Sequence, residues 1–174
     1  MKKVELLLQH GIDLDSATLM INGEIDEDRY EQLQYGVKLL KSVAPTRPMI
    51  IELSTYGGDL YFGLAMYDYI RAHAPDCTIV CGGPVMSAGS LILQAGKTRW
   101  MYPNAYVMVH FGMEVNTDQQ TKAQNEAMTR RCKEILIERC TVNPKTVKQW
   151  FKKESYFNAT RAVNVGLVDG VYNG

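Results

Sequence analysis

From Thr18 onward, short β-branched apolar runs alternate with amphipathic stretches of helical period, and this alternation constrains the fold more than any other feature of the chain. Thr18-Leu19-Met20-Ile21 reads as a strand that ends at the Asn22-Gly23 turn. Asp26-Glu27-Asp28 then sets acids where a helix N-terminus favours them, and Leu33, Val37 and Leu40 follow at helical spacing until Pro45 stops the helix. Met49-Ile50-Ile51-Glu52-Leu53 is a buried strand. Ser54-Thr55-Tyr56-Gly57-Gly58-Asp59 is a glycine turn opening a helix with Leu60, Leu64, Tyr67 and Ile70 on its apolar face, ending before Pro75. Cys77-Thr78-Ile79-Val80-Cys81 is a strand that Gly82-Gly83-Pro84 breaks. A compact helix of small and apolar residues begins at Ser87 and stops at Gly96, and after the Pro103-Asn104 turn a strand from Ala105 delivers His110 at its carboxyl end.

Beyond Asp118 the pattern turns helical. A long charged helix runs to about Cys140 with Ala127, Ile135 and Leu136 on its packed face, and Asn143-Pro144 caps a second helix through Val147, Trp150 and Phe151. A short helix near 159–165 ends at Gly166, before a terminal strand about Val168. The expectation is a single α/β domain over 1–174 with parallel strands, in which residues 1–17 have no clear pattern.

Composition narrows the function. With 46% hydrophobic and 22% charged residues the chain can bury a core, which argues against a disordered or fibrous protein. Lysine plus arginine equal aspartate plus glutamate at 19 each, so no global field draws it to nucleic acid or anionic lipid. No apolar run approaches a membrane span, and the first residues carry an acid and too short an apolar stretch for a signal peptide, so a cytoplasmic protein is expected. Cys77, Cys81, Cys132 and Cys140 read as reduced packing residues, and their spacing from His10, His73 and His110 does not suit a metal site.

In an α/β domain, ligands gather at loops following the carboxyl ends of strands, and three such loops stand out: Gly57-Gly58, Met86-Ser87-Ala88-Gly89 and His110-Phe111-Gly112. Ser87 sits between strand and helix, where a hydroxyl can be raised as a nucleophile. The G-x-S-x-G elbow is only half matched, with Val85 at the first glycine position, and a serine opening a helix is more often its cap. His110 lies 110 − 87 = 23 positions later, which is room for one strand to return beside the serine, and is the preferred histidine base. Gly57-Gly58 can present free backbone N–H groups to an oxyanion or phosphate, but no nucleotide-binding motif accompanies it. Tyr56, Tyr61, Tyr67 and Tyr69 read as packing or subunit contacts, and Lys145, Lys148, Lys152 and Lys153 as a solvated helix face.

Taken in order, Tyr56-Gly57-Gly58-Asp59, Gly83-Pro84-Val85-Met86-Ser87-Ala88-Gly89 and Pro103-Asn104 with Val107-Met108-Val109-His110 resemble the proteolytic subunits of the Clp protease family. Ile21-Asn22-Gly23-Glu24-Ile25 and Val165-Gly166-Leu167-Val168-Asp169 extend the likeness over about residues 18–172. The resemblance implies a crotonase-like α/β fold with a protruding helical handle, assembled in heptameric rings that stack. It also implies a Ser-His-acid triad facing an internal chamber, with no cofactor. By position Ser87 is the nucleophile, His110 the general base, Glu154 the acid where the family usually has aspartate, and the N–H groups of Gly58 and Ala88 the oxyanion hole. The implied partners are further copies of the chain, paralogous proteolytic subunits, a hexameric ATPase unfoldase and unfolded polypeptide.

The sequence departs from the family at several places. The family's glycine-rich stretch after the histidine is replaced by Phe111-Gly112-Met113-Glu114-Val115-Asn116-Thr117-Asp118-Gln119-Gln120, a region that helps join two rings. Ile50 and Glu52 stand where many members have tyrosines lining the unfoldase docking pocket, and a carboxylate there opposes burial of a hydrophobic loop. Residues 1–17 do not match the gating loops. The two leading readings are therefore a serine endopeptidase and a non-catalytic ring subunit that assembles with active paralogues. An acyl-CoA hydratase or isomerase of the crotonase type, for which the chain is short, comes third.

Overall fold

The computed structural model describes residues 2–110 and 119–172. Its elements in chain order are α1 (Lys3–His10), β1 (Ile12–Asp13), β2 (Thr18–Asn22), α2 (Glu27–Val43), β3 (Ile50–Thr55), α3 (Leu60–His73), β4 (Thr78–Met86), α4 (Ala88–Ile92), β5 (Thr98–Met101), β6 (Tyr106–Val109), α5 (Gln119–Arg139), α6 (Pro144–Trp150), β7 (Ser155–Asn158), α7 (Ala159–Asn164) and β8 (Gly170–Val171). The helix starts fall where the caps lie: Asp26, Asp59, Asn143 and Asn158 each accept backbone N–H bonds at the mouth of α2, α3, α6 and α7. The unassigned amino-terminal residues supply α1 and β1, and among the described residues before Thr18 only Leu6, Ile12 and Ala17 are buried.

The sheet runs β1-β2-β3-β4-β5-β8, parallel from β2 to β8, with β1 antiparallel at one edge. Leu19, Ile21, Ile51, Leu53, Ile79 and Cys81 are buried in it, beneath Leu33, Val37 and Leu40 of α2 and Met66 and Ile70 of α3. Two expectations are corrected. Gly82-Gly83-Pro84 does not break the strand, because β4 continues through it and changes neighbours. Residues 78–81 pair with 98–101 of β5, and 84–86 pair with 106–108 of β6. The glycines accommodate side chains of β3, since a Cβ at Gly82 would stand 3.1 Å from Glu52 Oε1 and one at Gly83 would stand 2.7 Å from Ser54 Oγ. The second correction concerns Ala127, which is exposed. No residue of α5 from 122 to 131 is buried, whereas Cys132, Ile135 and Leu136 pack fully. The first half of α5 thus stands clear of the core as a handle.

Strands β5 and β7 go beyond the sequence reading. In β5, Arg99 is only 4% exposed. Its guanidinium donates to Gln94 Oε1 at 2.6 Å, to the Gly166 carbonyl at 3.0 Å and to both carboxylate oxygens of Asp169, whose Oδ2 also accepts the Arg99 backbone N–H at 2.7 Å. Burial alone would raise the Asp169 carboxyl, but its bonds and attraction to Arg99 outweigh that and hold it below the ordinary value. This pair fastens the carboxyl-terminal strand to the sheet. The antiparallel β7 lies along β6 and packs Phe157 edge-on against Trp150, with ring centroids 4.8 Å apart.

Candidate active site

Ser87 joins β4 to α4 in a backbone conformation that L-residues rarely adopt, φ 53° and ψ −121°. Such strain persists only where the surroundings enforce it. Here Ser87 N–H donates to the Met108 carbonyl of β6 at 2.9 Å, and the Ser87 carbonyl accepts both the N–H and the hydroxyl of Ser90, at 2.9 and 2.6 Å. Ser87 occupies the N-cap position, yet its side chain makes no capping bond. Its Oγ instead lies 2.9 Å from His110 Nε2, so the capping alternative is set aside by geometry. His110 reaches the serine because it directly follows β6, whose register against β4 is fixed by the pairing of Met86 with Met108.

The glycine turn packs on the same point. Gly57 and Gly58 have φ of +107° and +149°, and a Cβ on Gly58 would come within 2.3 Å of the Ile25 carbonyl. Gly57 N–H donates to Thr55 Oγ1 at 2.9 Å, the Gly57 carbonyl accepts Ile25 N–H at 2.9 Å, and Asp59 N–H goes to the Ile25 carbonyl at 2.7 Å. These bonds stretch the turn while leaving the Gly58 N–H outside them. Ala88 N–H, at the first position of a helix, is likewise outside the intrahelical ladder. Two backbone donors, a hydroxyl and an imidazole therefore come from three loops that follow β3, β4 and β6.

Glu154 immediately precedes β7. Because Val109 pairs with Ser155, the register carries Glu154 to the position across from His110. The hydrogen bond made by its carboxylate is nevertheless with Tyr156, whose Oη donates to Oε2 at 2.8 Å. That bond pushes the Tyr156 phenol above its ordinary value, since a phenolate would face the carboxylate. Thus Ser87 and His110 are in contact, and Glu154 is adjacent in register but engaged by a tyrosine. Tyr156, Thr55 and the Met108 carbonyl were missed by the sequence reading. Only Tyr156 carried a signal, since residues two apart on a strand share a face.

Residues 111–118 of the divergent stretch lie outside the described residues. Glu52, read as opposing a docked hydrophobic loop, is half-buried over Gly82. It adds to burial in raising the Tyr102 phenol, whose ring lies 5.4 Å from that of Tyr172.

Comparison with known proteins gives the same frame. The family model described as Clp protease matches residues 10–174. A solved structure of a ClpP1 mutant from Listeria monocytogenes superposes with a TM-score of 0.83 at 23% identity, over 92% of this chain and 94% of that one. At that identity the likeness speaks for the fold, a crotonase-like arrangement of helices about a mostly parallel sheet.

Proposed function

The chain belongs to the Clp protease family, and from that premise we propose that it is a serine endopeptidase in which Ser87, His110 and Glu154 act as nucleophile, base and orienting acid. The observation that carries this reading is the 2.9 Å separation of Ser87 Oγ and His110 Nε2 at a strained strand-to-helix turn. In this mechanism Ser87 Oγ attacks a peptide carbonyl while its proton passes to Nε2. The developing oxyanion takes hydrogen bonds from the N–H groups of Gly58 and Ala88. Collapse breaks the C–N bond, His110 returns the proton to the leaving amine, and a water deprotonated by His110 then cleaves the ester to release acid and free serine.

In the same proposal the site faces the chamber of a heptameric ring in the cytoplasm, built from copies of this chain or shared with paralogous subunits, and a hexameric ATPase supplies unfolded polypeptide. A second reading, a ring subunit without catalysis of its own, draws on the Glu154 carboxylate having Tyr156 as its partner.

The test is intact mass after fluorophosphonate treatment, with sizing of the same samples. A single adduct on the wild type, absent from Ser87→Ala, supports the peptidase; a ring-sized wild type with no adduct overturns it in favour of the second reading.

A further inference from the structure

Glu154 and Tyr156 lie two residues apart at the edge of the sheet, beside the strand that presents His110. In the register of β6 with β7, Tyr156 is opposite Met108, and continuing that register one step past the last pair, Val109 with Ser155, brings Glu154 across from His110 on the same face. The backbone of the tyrosine is well held. Its own strand is held on the inner side by the β6 ladder, and on the outer side Arg161 Nη1 donates to the Tyr156 carbonyl at 2.7 Å. The same guanidinium lies 4.5 Å over the ring of Phe157, which is fully buried. Glu154 is exposed, like Tyr156, but lies outside the ladder, before the first residue of β7, and has one torsion more than an aspartate would have. An acid that orients an imidazole must be held still, and an exposed glutamate retains most of its rotamer freedom unless something ties it down.

We propose that Tyr156 is a positioning residue for Glu154, its hydroxyl holding carboxylate Oε2 so that Oε1 is presented to His110. This rests on the peptidase reading above. The phenol donates its proton in this bond and is held above its ordinary value by it, so the tyrosine ties the acid down without bringing a charge of its own. The contact thus offsets the extra methylene of glutamate: the side chain is tethered at its far end instead of being short.

The test is the kinetics of fluorophosphonate labelling at Ser87 in the full-length protein, comparing wild type, Tyr156→Phe, Glu154→Gln and the double variant. Tyr156→Phe removes one exposed hydroxyl and is expected to melt with the wild type. Its maximal labelling rate is expected to fall by about tenfold, the worth of a hydrogen bond to a charged group, with the half-saturating reagent concentration unchanged. In the Glu154→Gln background, itself slow, the same substitution is expected to change nothing further. A reactive wild type matched by Tyr156→Phe overturns the proposal and leaves the peptidase reading standing, as does an equal loss in both backgrounds. A ring-sized wild type that does not label overturns the peptidase reading, and the proposal falls with it.

Discussion

Gly57 lies so close under Ser87 that a Cβ added to the glycine would stand 2.6 Å from the serine Cβ and 3.1 Å from the Met86 carbonyl. Neither neighbour is the loose end of a flexible chain, and the φ of +107° is itself one that alanine adopts only under strain. Gly57→Ala is therefore expected to displace the Ser87 turn and to cost about 2 to 3 kcal/mol. Denaturant midpoints measure the loss of stability, and fluorophosphonate labelling is expected to fall with it; wild-type labelling in a stable Gly57→Ala chain contradicts the packing described.

The strain at Ser87 predicts a wide gap between two substitutions. Glycine is already the better of the two at a helix N-cap, and at φ 53° the alanine Cβ is penalised further while glycine is not. Ser87→Gly is expected to melt above Ser87→Ala, by the equivalent of about 1 kcal/mol. Both are expected to be inert to fluorophosphonate. Thermal melts of the two inactive variants decide it, and Ser87→Ala melting higher argues against strain at this residue.

Asp169 is the partner of a nearly buried arginine but is itself 37% exposed, so solvent screens part of the interaction. Asp169→Asn leaves Arg99 without its counter-charge and is expected to cost about 2 to 3 kcal/mol.

The same pair sets a pH dependence. The folded carboxyl is held below its ordinary value of 3.8, so its contribution is fully present above that value and is lost as pH falls through the folded one. Urea unfolding from neutral pH down through about pH 3 is expected to show a fall in stability that is smaller in Asp169→Asn. Parallel curves for the two chains remove Asp169 as the source.

Helix α5 is expected to respond to substitution in two ways. Ala127→Ser, on the exposed half, should stay within about 0.5 kcal/mol of wild type, whereas Leu136→Ala, fully buried, should lose about 2 to 5 kcal/mol. Urea midpoints at an unchanged slope measure both, and a large loss at Ala127 indicates a covered handle.

The helices were legible because their punctuation is local. Asp26, Asp59 and Asn143 announce their own helices, and Pro45 and Pro75 close two of them. Strand β5 escaped because Thr98-Arg99-Trp100-Met101 carries a buried charge whose partner, Asp169, is 70 positions away, and nothing local shows that an arginine is to be enclosed. Gly82-Gly83-Pro84 looked like a break because the side chains that fill the space above the glycines belong to β3. Ala127 was placed on a packed face because period alone does not tell where a helix leaves its core. At the site, the strand ends drew notice to Ser87 and His110, but a helix cap was the favoured reading of the serine on that pattern alone, and its assignment, like that of Glu154, came through family resemblance. Its bond to Tyr156 depends on a rotamer that no sequence spacing fixes.

The partner change along β4 has a mechanical consequence. Ser87 and His110 are both carried by the distal branch of the fork, and a direct backbone hydrogen bond, Ser87 N–H to the Met108 carbonyl, rivets the two arms of that branch together. A load applied at the β5 and β8 edge enters through the stem below the fork and turns the branch as one piece. The backbone spacing of Ser87 and His110 thus depends on the pairing of β4 with β6 and not on the β5 and β8 edge.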